Sequence, residues 1–93
     1  MEYLIRIQEA RYIEGKGFAI IGSNPNWTKD DLHKLNVKGK SVIIKTSEGD
    51  FSFEVIDLQI SFSIIEHPLV GILVKESDDF SKIANGDGVY KTN

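Results

Sequence analysis

Residues 51–65, FSFEVIDLQISFSII, decide the fold of this chain. Phe51, Phe53 and Val55 occupy odd positions, whereas the apolar residues that follow occupy even positions: Ile56, Leu58, Ile60, Phe62 and Ile64. Because strand side chains alternate between the two faces of a sheet, a uniform strand cannot keep both sets on one side. We therefore predict a β-bulge or sharp bend near Val55 and Ile56, which lets a long strand turn the corner of a barrel.

The remaining composition also favours strands. The chain has thirteen Ile and six Val against three Ala, and β-branched side chains pack well on a pleated sheet. Glycines and prolines fall at short intervals, which is typical of short strands joined by turns. The predicted strands span residues 2–13, 18–22, 40–46, 51–65, 69–75 and 89–91. We expect an all-β domain over residues 1–93, a small barrel of six or seven strands.

Two short helical segments interrupt this pattern. The first is an insert near residues 28–35, which Thr28 caps and which turns Trp27, Leu32 and Leu35 toward the core. The second is a single turn that Ser77 caps, running through Phe80 and Ile83. Between the first two strands, Gly15-Lys16-Gly17 is expected to form a hairpin turn. The alternative, a phosphate cradle, lacks the helix N-terminus that such a loop normally precedes.

The order of motifs resembles the β-barrel second domain of translational GTPases of the elongation factor Tu type. The first matching element is Gly15-Lys16-Gly17, followed by an apolar run that ends at Gly22. The second is Val37-Lys38-Gly39, which precedes a strand. The third is Val70-Gly71, followed by three apolar residues and Lys75 and later by Gly86-Asp87 and Val89. The chain departs from that pattern in three ways. Its helical insert is longer, Gly88 adds one residue before the last strand, and Lys16 stands where arginine is more usual. The GxxxxGK[ST] phosphate loop is absent, so the resemblance implies only a standalone barrel that serves as a docking surface.

Several kinds of chemistry are disfavoured by the sequence. The chain has no cysteine, which excludes disulfides, thiol nucleophiles and Cys-based metal sites. The spacing of His33 and His67 matches no zinc signature, even with Asp31 or Glu66 added. Glu54 and Asp57 are expected to lie on the solvated face of their strand, where nothing separates their pKa values for acid and base roles. We expect no enzyme, no catalytic or metal site and no cofactor.

The charge is unevenly distributed along the chain. Residues 1–46 carry eight Lys or Arg and five Asp or Glu, whereas residues 47–93 carry three and nine, within a net charge of −3. The acidic half predicts a non-catalytic module that binds a basic protein, as immunity or inhibitor proteins do. The candidate residues for this contact are Glu48, Asp50, Glu54, Asp57, Glu76, Asp78 and Asp79. Ordinary solubilising surface charge is the simpler explanation of the same pattern.

Two further functions stay open. The first is RNA or ribosome binding through Lys16, Trp27, Lys38 and Lys40, with Trp27 or Tyr12 stacking a base. The acidic pI of about 5.3 argues against this function. The second is a small ligand bound by loop 23–38 in an apolar pocket beside Trp27. With no apolar run long enough to span a bilayer and no signal-peptide pattern, we expect a cytoplasmic protein that does not enter membranes.

Overall fold

The computed structural model describes residues 2–27, 29–62 and 68–92, with the backbone alone at Lys29, Leu32, Phe62 and Pro68. The described chain is all-β, as the sequence predicts. Its strands are β1 (Glu2–Ile13), β2 (Gly17–Ser23), β3 (Ser41–Thr46), β4 (Gly49–Phe62), β5 (Pro68–Val74) and β6 (Gly88–Lys91). Two short 3₁₀ segments, η1 (Lys29–Leu35) and η2 (Asp78–Lys82), complete the described secondary structure.

All six strands pair antiparallel in one sheet. The order of neighbours is β1-β2-β5-β4-β3-β6, and β6 pairs with β1 as well as with β3, so each strand pairs with two others. The β3–β4 hairpin has a two-residue loop, because Thr46 pairs with Gly49. The sequence-predicted turn at Gly15-Lys16-Gly17 joins β1 to β2, and the N–H of Lys16 donates to the carbonyl of Ile13 over 3.0 Å.

The bulge predicted from the change of parity is present in β4. Val55 pairs with Val74 and Asp57 pairs with Leu73, so the register against β5 shifts between Val55 and Asp57. The shift places Leu58 opposite the buried Ile72, and Leu58 therefore packs against the core. The prediction that the even-numbered residues face inward is wrong for Ile56, which is 38% exposed because it is the extra residue of the bulge, and for Ile60, which is 36% exposed. Residues 63–67, which include Ile64 and His67, lie outside the described residues.

The core lies between the inward faces of the strands. Its aliphatic members alternate along β3 and β5, as expected when one face of a sheet is buried, and β2 contributes Ile20. Beyond the strands, Trp27, Leu35 and Val37 join this core from the segment between β2 and β3. The fully or nearly fully buried hydrophobic residues are Leu4, Ile5, Ile7, Ile20, Trp27, Leu35, Val37, Val42, Ile44, Phe53, Val55, Val70, Ile72, Val74 and Val89.

One buried polar side chain fixes the start of the segment that carries Trp27. The amide nitrogen of Asn24 donates to the carbonyl of Leu4 over 2.9 Å, and its Oδ1 accepts from the N–H of Asn26 over 3.0 Å. The N–H of Trp27 in turn donates to the carbonyl of Asn24 over 3.0 Å. These bonds satisfy the buried amide and direct Trp27 inward. The insert itself is a 3₁₀ segment, and its expected cap Thr28 lies outside the described residues.

Strand β5 lies between β2 and β4. Val70, Ile72 and Val74 are fully buried, whereas Leu69 on the opposite face is 39% exposed, so only one face of β5 is covered. In the part of the chain that the structure describes, neither 3₁₀ segment nor any other helix has the length and apolar character needed to cross a membrane.

Candidate binding surface

The seven candidate acidic residues differ in their availability to a partner, because Glu54, Asp57 and Asp79 are each paired with a lysine. Glu54 pairs with Lys75 over 2.7 Å, and Asp57 pairs with Lys38 over 3.4 Å. The pKa of Asp57 is lowered chiefly by the hydrogen bond from the N–H of Leu58 and further by Lys38. The pKa of Lys75 is raised by the hydrogen bond to Glu54. These two carboxylates stabilise their own neighbours and offer little charge to a partner.

The other acidic residues surround a group of aromatic side chains. The rings of Phe18 and Phe80 are stacked, with centroids 3.7 Å apart and planes 7° apart, and Tyr12 lies 5.3 Å from Phe18 at a tilt of 58°. A fourth ring, Phe51, follows the hairpin loop, and Lys82 lies 4.7 Å from its centroid. We call this region the acidic end; it consists of these rings together with Glu48, Asp50, Glu76, Asp78 and Asp79.

Contacts tie the acidic residues to these rings. The hydroxyl of Tyr12 donates to Glu76 over 3.0 Å. Asp79 pairs with Lys82 over 3.5 Å, and Lys82 covers the ring of Phe51. Glu48 and Asp50 belong to the β3–β4 hairpin immediately before Phe51. Elements separated in sequence, the β1–β2 region, the hairpin and η2, therefore meet at the acidic end.

The local sequence explains why η2 presents Phe80 to the rings. Ser77 is its N-cap, as predicted, and Ser77 Oγ accepts from the N–H of Asp79 over 3.2 Å. Asp78 and Asp79 lie in the first turn, where negative charge is favourable, and Lys82 lies in the last. The segment ends at Ile83, whose N–H donates to the carbonyl of Phe80. The same cap that holds the turn thus exposes two carboxylates beside a stacked aromatic pair.

The acidic end combines partly exposed aromatic surface with carboxylates, of which Asp79 is paired with Lys82. Tyr12 is 51% exposed, and Phe18, Phe51 and Phe80 are partly buried. Glu48, Asp50 and Asp78 take part in none of the ion pairs among the described residues. The pKa of Tyr12 is raised, mainly because its hydroxyl donates to Glu76 and that carboxylate opposes ionisation of the phenol.

Two of the four residues considered for RNA binding, Trp27 and Lys38, are not free on the surface. Trp27 is 5% exposed and belongs to the core, so the prediction that it stacks a base is wrong. Lys38 is paired with Asp57 over 3.4 Å. Lys16 and Lys40 are exposed and take no part in the ion pairs of the described residues. Of the two rings considered for stacking, only Tyr12 is accessible.

The surface has two notable depressions. One, of about 380 Å³, lies over β2, β4 and β5 on the outward face; its lining includes Ala19, Ile21 and Leu73, with Lys16 and Asp57 at its margins. The other, of about 540 Å³, includes Arg6 and is described further below. Trp27 lines neither depression, so the small-ligand pocket expected beside it gains no support.

The remaining titratable candidates are separate from one another. The exposed His33 has its Nδ1 2.8 Å from the carbonyl oxygen of Asp30, and Asp31 pairs with Lys34 over 3.3 Å. Glu66 and His67 lie outside the described residues. Within residues 2–27, 29–62 and 68–92, no three His, Asp or Glu side chains gather in a way that holds a metal ion.

The chain matches no protein-family model, and comparison with the curated proteins and with the solved structures gives no match. The geometry and charge of the chain itself are therefore the basis for inferring its function.

The sequence alone identified the acidic residues but not their division into two classes. The pairing of Lys38 with Asp57 and of Lys75 with Glu54 depends on strand register, which brings distant residues side by side. The stack of Phe18 on Phe80 joins residues from opposite parts of the chain. Only the capping signal at Ser77 was local enough to be recognised in advance.

Proposed function

We propose that this chain is a non-catalytic binding module that holds a basic protein partner on its acidic end. The observation that carries the proposal is the combination, at one place, of accessible aromatic rings with unpaired carboxylates. Aromatic residues are enriched in protein interfaces because they bury a large area with little loss of side-chain entropy. Carboxylates at the margin of such a patch speed the approach of a positively charged partner.

Charge neutralisation inside the chain supports the choice of Asp50 and Asp78 over Glu54 and Asp57. An exposed carboxylate already paired with lysine gains little from a second cation, because exposed ion pairs contribute only about 0–1 kcal/mol. Asp50 and Asp78 have no such internal partner among the described residues. An immunity or inhibitor-type role, in which the module blocks a basic toxin or nuclease, is one specific form of this proposal.

The pairing order of the strands is compatible with a docking barrel of the kind found as the second domain of translational GTPases. The strand order returns to β1 through β6, and the Gly15-Lys16-Gly17 turn sits between β1 and β2. We propose this likeness for architecture only, and we keep the cytoplasm as the expected location because the chain has no cysteine.

RNA or ribosome binding is the alternative proposal, and the structure offers it less support. Its residues were Lys16, Trp27, Lys38 and Lys40, of which Trp27 is buried and Lys38 is paired. Such binding predicts an affinity that falls steeply with salt and is lost when Lys16 and Lys40 are changed to Glu. A protein whose RNA affinity ignores those changes does not use this surface.

The test is a capture experiment with two matched variants. Immobilised wild-type chain is exposed to an extract of the source cells, beside the acidic-end variant Asp50→Asn/Asp78→Asn and the control Glu54→Gln/Asp57→Asn. Both variants remove two negative charges. We expect a basic protein that the wild type and the control retain and that the acidic-end variant loses. Equal retention by both variants, or turnover of a small molecule by the purified chain without any captured protein, contradicts the proposal.

A further inference from the structure

The depression beside Arg6 is lined by four polar side chains, Arg6, Gln8, Ser23 and Asn85, together with Ile7, Pro25 and Gly86. Arg6 and Gln8 belong to β1, Ser23 ends β2, and Asn85 and Gly86 form the turn before β6. Its volume of about 540 Å³ lies within the range of small-molecule sites in proteins. None of these residues belongs to the acidic end, so the depression is a second feature of the surface.

Strand register explains why the side chains of Arg6, Gln8 and Ser23 meet. Arg6 lies directly opposite Ser23 on β2, and opposite Gly88 on β6. The β1–β2 register then shifts between Ile7 and Glu9, which makes Gln8 an extra residue in β1. A bulge of this kind redirects a side chain, and such bulges are common next to functional sites. Here Gln8 Nε2 donates to Ser23 Oγ over 2.7 Å.

The turn that carries Asn85 and Gly86 is anchored to β1. The N–H of Gly86 donates to the carbonyl of Ile7 over 2.7 Å, and the N–H of Ile7 donates to the carbonyl of Asp87 over 2.9 Å. Asp87 also accepts the N–H of Ala84 on Oδ2 over 2.8 Å, which closes the turn. The turn is therefore held in place next to the guanidinium before any ligand arrives.

Gly86 places this turn beside the side chain of Arg6. Its φ is +98°, a conformation that residues other than glycine rarely adopt. A Cβ placed on Gly86 would lie 3.6 Å from a terminal nitrogen of Arg6, so the guanidinium lies within van der Waals distance of the turn.

The positive charge of Arg6 is not neutralised within the described chain. The ion pairs of the described residues do not include Arg6, and the nearby Glu9 is taken by Arg11. Because Ser23 Oγ accepts the proton of Gln8, the Ser23 hydroxyl keeps its own proton available for donation. A guanidinium, a hydroxyl and the side-chain amide of Asn85 thus supply hydrogen-bond donors around one space.

We propose that this depression is a binding site for a phosphate group. A tetrahedral phosphate presents oxygens in several directions, which suits donors that come from β1, β2 and the Asn85 turn, and arginine binds phosphate through two parallel hydrogen bonds. A flat carboxylate satisfies the guanidinium but reaches fewer of the other donors. The phosphate is free, belongs to a nucleotide, or belongs to an RNA backbone, and these sources share the same chemistry.

The test is an NMR titration of the ¹⁵N-labelled chain at constant ionic strength. Inorganic phosphate is added to the wild type, to Arg6→Gln and to the control Arg11→Gln, which changes an exposed arginine of the same strand that pairs with Glu9. We expect saturable shifts at Ser23, Asn85 and Gly86 in the wild type, with affinity about tenfold weaker in Arg6→Gln and within about twofold in Arg11→Gln. An undiminished affinity in Arg6→Gln, or non-saturating shifts spread over the surface lysines, overturns the proposal.

Further arms identify the source of the phosphate and guard against misfolding. Tighter binding of adenosine monophosphate than of phosphate assigns a nucleotide, and tighter binding of a short oligouridylate than of either assigns an RNA backbone. Acetate that binds as well as phosphate overturns the phosphate assignment. If Arg6→Gln loses its dispersed spectrum, Asn85→Ala replaces it, with several-fold weaker binding expected and unchanged binding counting against the site.

Discussion

Replacing Trp27 by alanine tests whether the segment between β2 and β3 is part of the core. Trp27 is 5% exposed and packs among aliphatic core residues. Burying about 200 Å² of aromatic surface at about 25 cal/mol per Å² gives about 5 kcal/mol as an upper bound. Truncation of a buried tryptophan typically costs about 3–5 kcal/mol, a large part of the about 5–15 kcal/mol that stabilises a domain. We expect Trp27→Ala to lower the free energy of unfolding by about 3 kcal/mol.

The assay is urea denaturation followed by far-UV circular dichroism, since the variant lacks the only tryptophan of the chain. At this chain length the expected loss corresponds to a fall in Tm of about 10–25 °C. Tyr12→Ala is the matched control, because Tyr12 is 51% exposed and loses only a ring contact and one hydrogen bond, so its loss of stability should be clearly smaller. A Trp27→Ala variant that is no less stable than Tyr12→Ala would refute the burial of Trp27.

Two other predictions concern hydrogen bonds of single side chains. Asn24→Ala leaves the carbonyl of Leu4 without its donor, and we expect the free energy of unfolding measured by urea denaturation to fall by about 1–3 kcal/mol. A fall below about 0.5 kcal/mol would mean that water or another donor replaces the amide. Glu76→Gln removes the carboxylate that raises the pKa of Tyr12, so the phenol should titrate at lower pH in an NMR titration. The pKa of Tyr12 is higher in the folded chain than in the unfolded chain. The hydrogen bond to Glu76 therefore stabilises the fold at pH values below the ordinary pKa of tyrosine, and this stabilisation is lost as the pH rises through the raised pKa. A Tyr12 pKa that does not change in Glu76→Gln would contradict the role of this carboxylate.

Features of β4 and η2 were predictable because their signals are local. The parity change after Val55 places a bulge by alternation alone, whatever strand lies alongside. Ser77 caps η2 through the N–H of Asp79, two residues away. A hairpin turn at Gly15 and Gly17 follows from glycine's access to positive φ, which is +78° and +129° at these positions.

What could not be predicted depends on which strands become neighbours. Trp27 was assigned both to the core and to base stacking, and only the packing of its segment onto Leu4 decides between them. The stacking of Phe18 on Phe80 arises because η2 folds back beside β2, which no local pattern indicates. The basic first half and the acidic second half of the chain do not form separate surfaces. Lys38 from the first half forms an ion pair with Asp57 from the second half.

The Arg6 depression was missed for the same reason. Its side chains converge through the register of β1 against β2 and through a bulge at Gln8. Across this bulge the core-facing residues of β1 pass from the odd positions Ile5 and Ile7 to the even position Ala10. The change rests on one small residue, Ala10, whereas in β4 several large apolar residues follow the bulge.

The acidic end can be tested most directly by measuring how tightly the captured basic partner binds. Isothermal titration at low ionic strength compares the wild type with Asp50→Asn/Asp78→Asn and with Glu54→Gln/Asp57→Asn. Loss of two unpaired charges, at about 0.5–1 kcal/mol each, should weaken binding about tenfold, whereas loss of the two lysine-paired carboxylates should change the Kd less than about threefold. If the Glu54→Gln/Asp57→Asn variant loses as much affinity as the Asp50→Asn/Asp78→Asn variant, or more, then the partner does not bind at the acidic end.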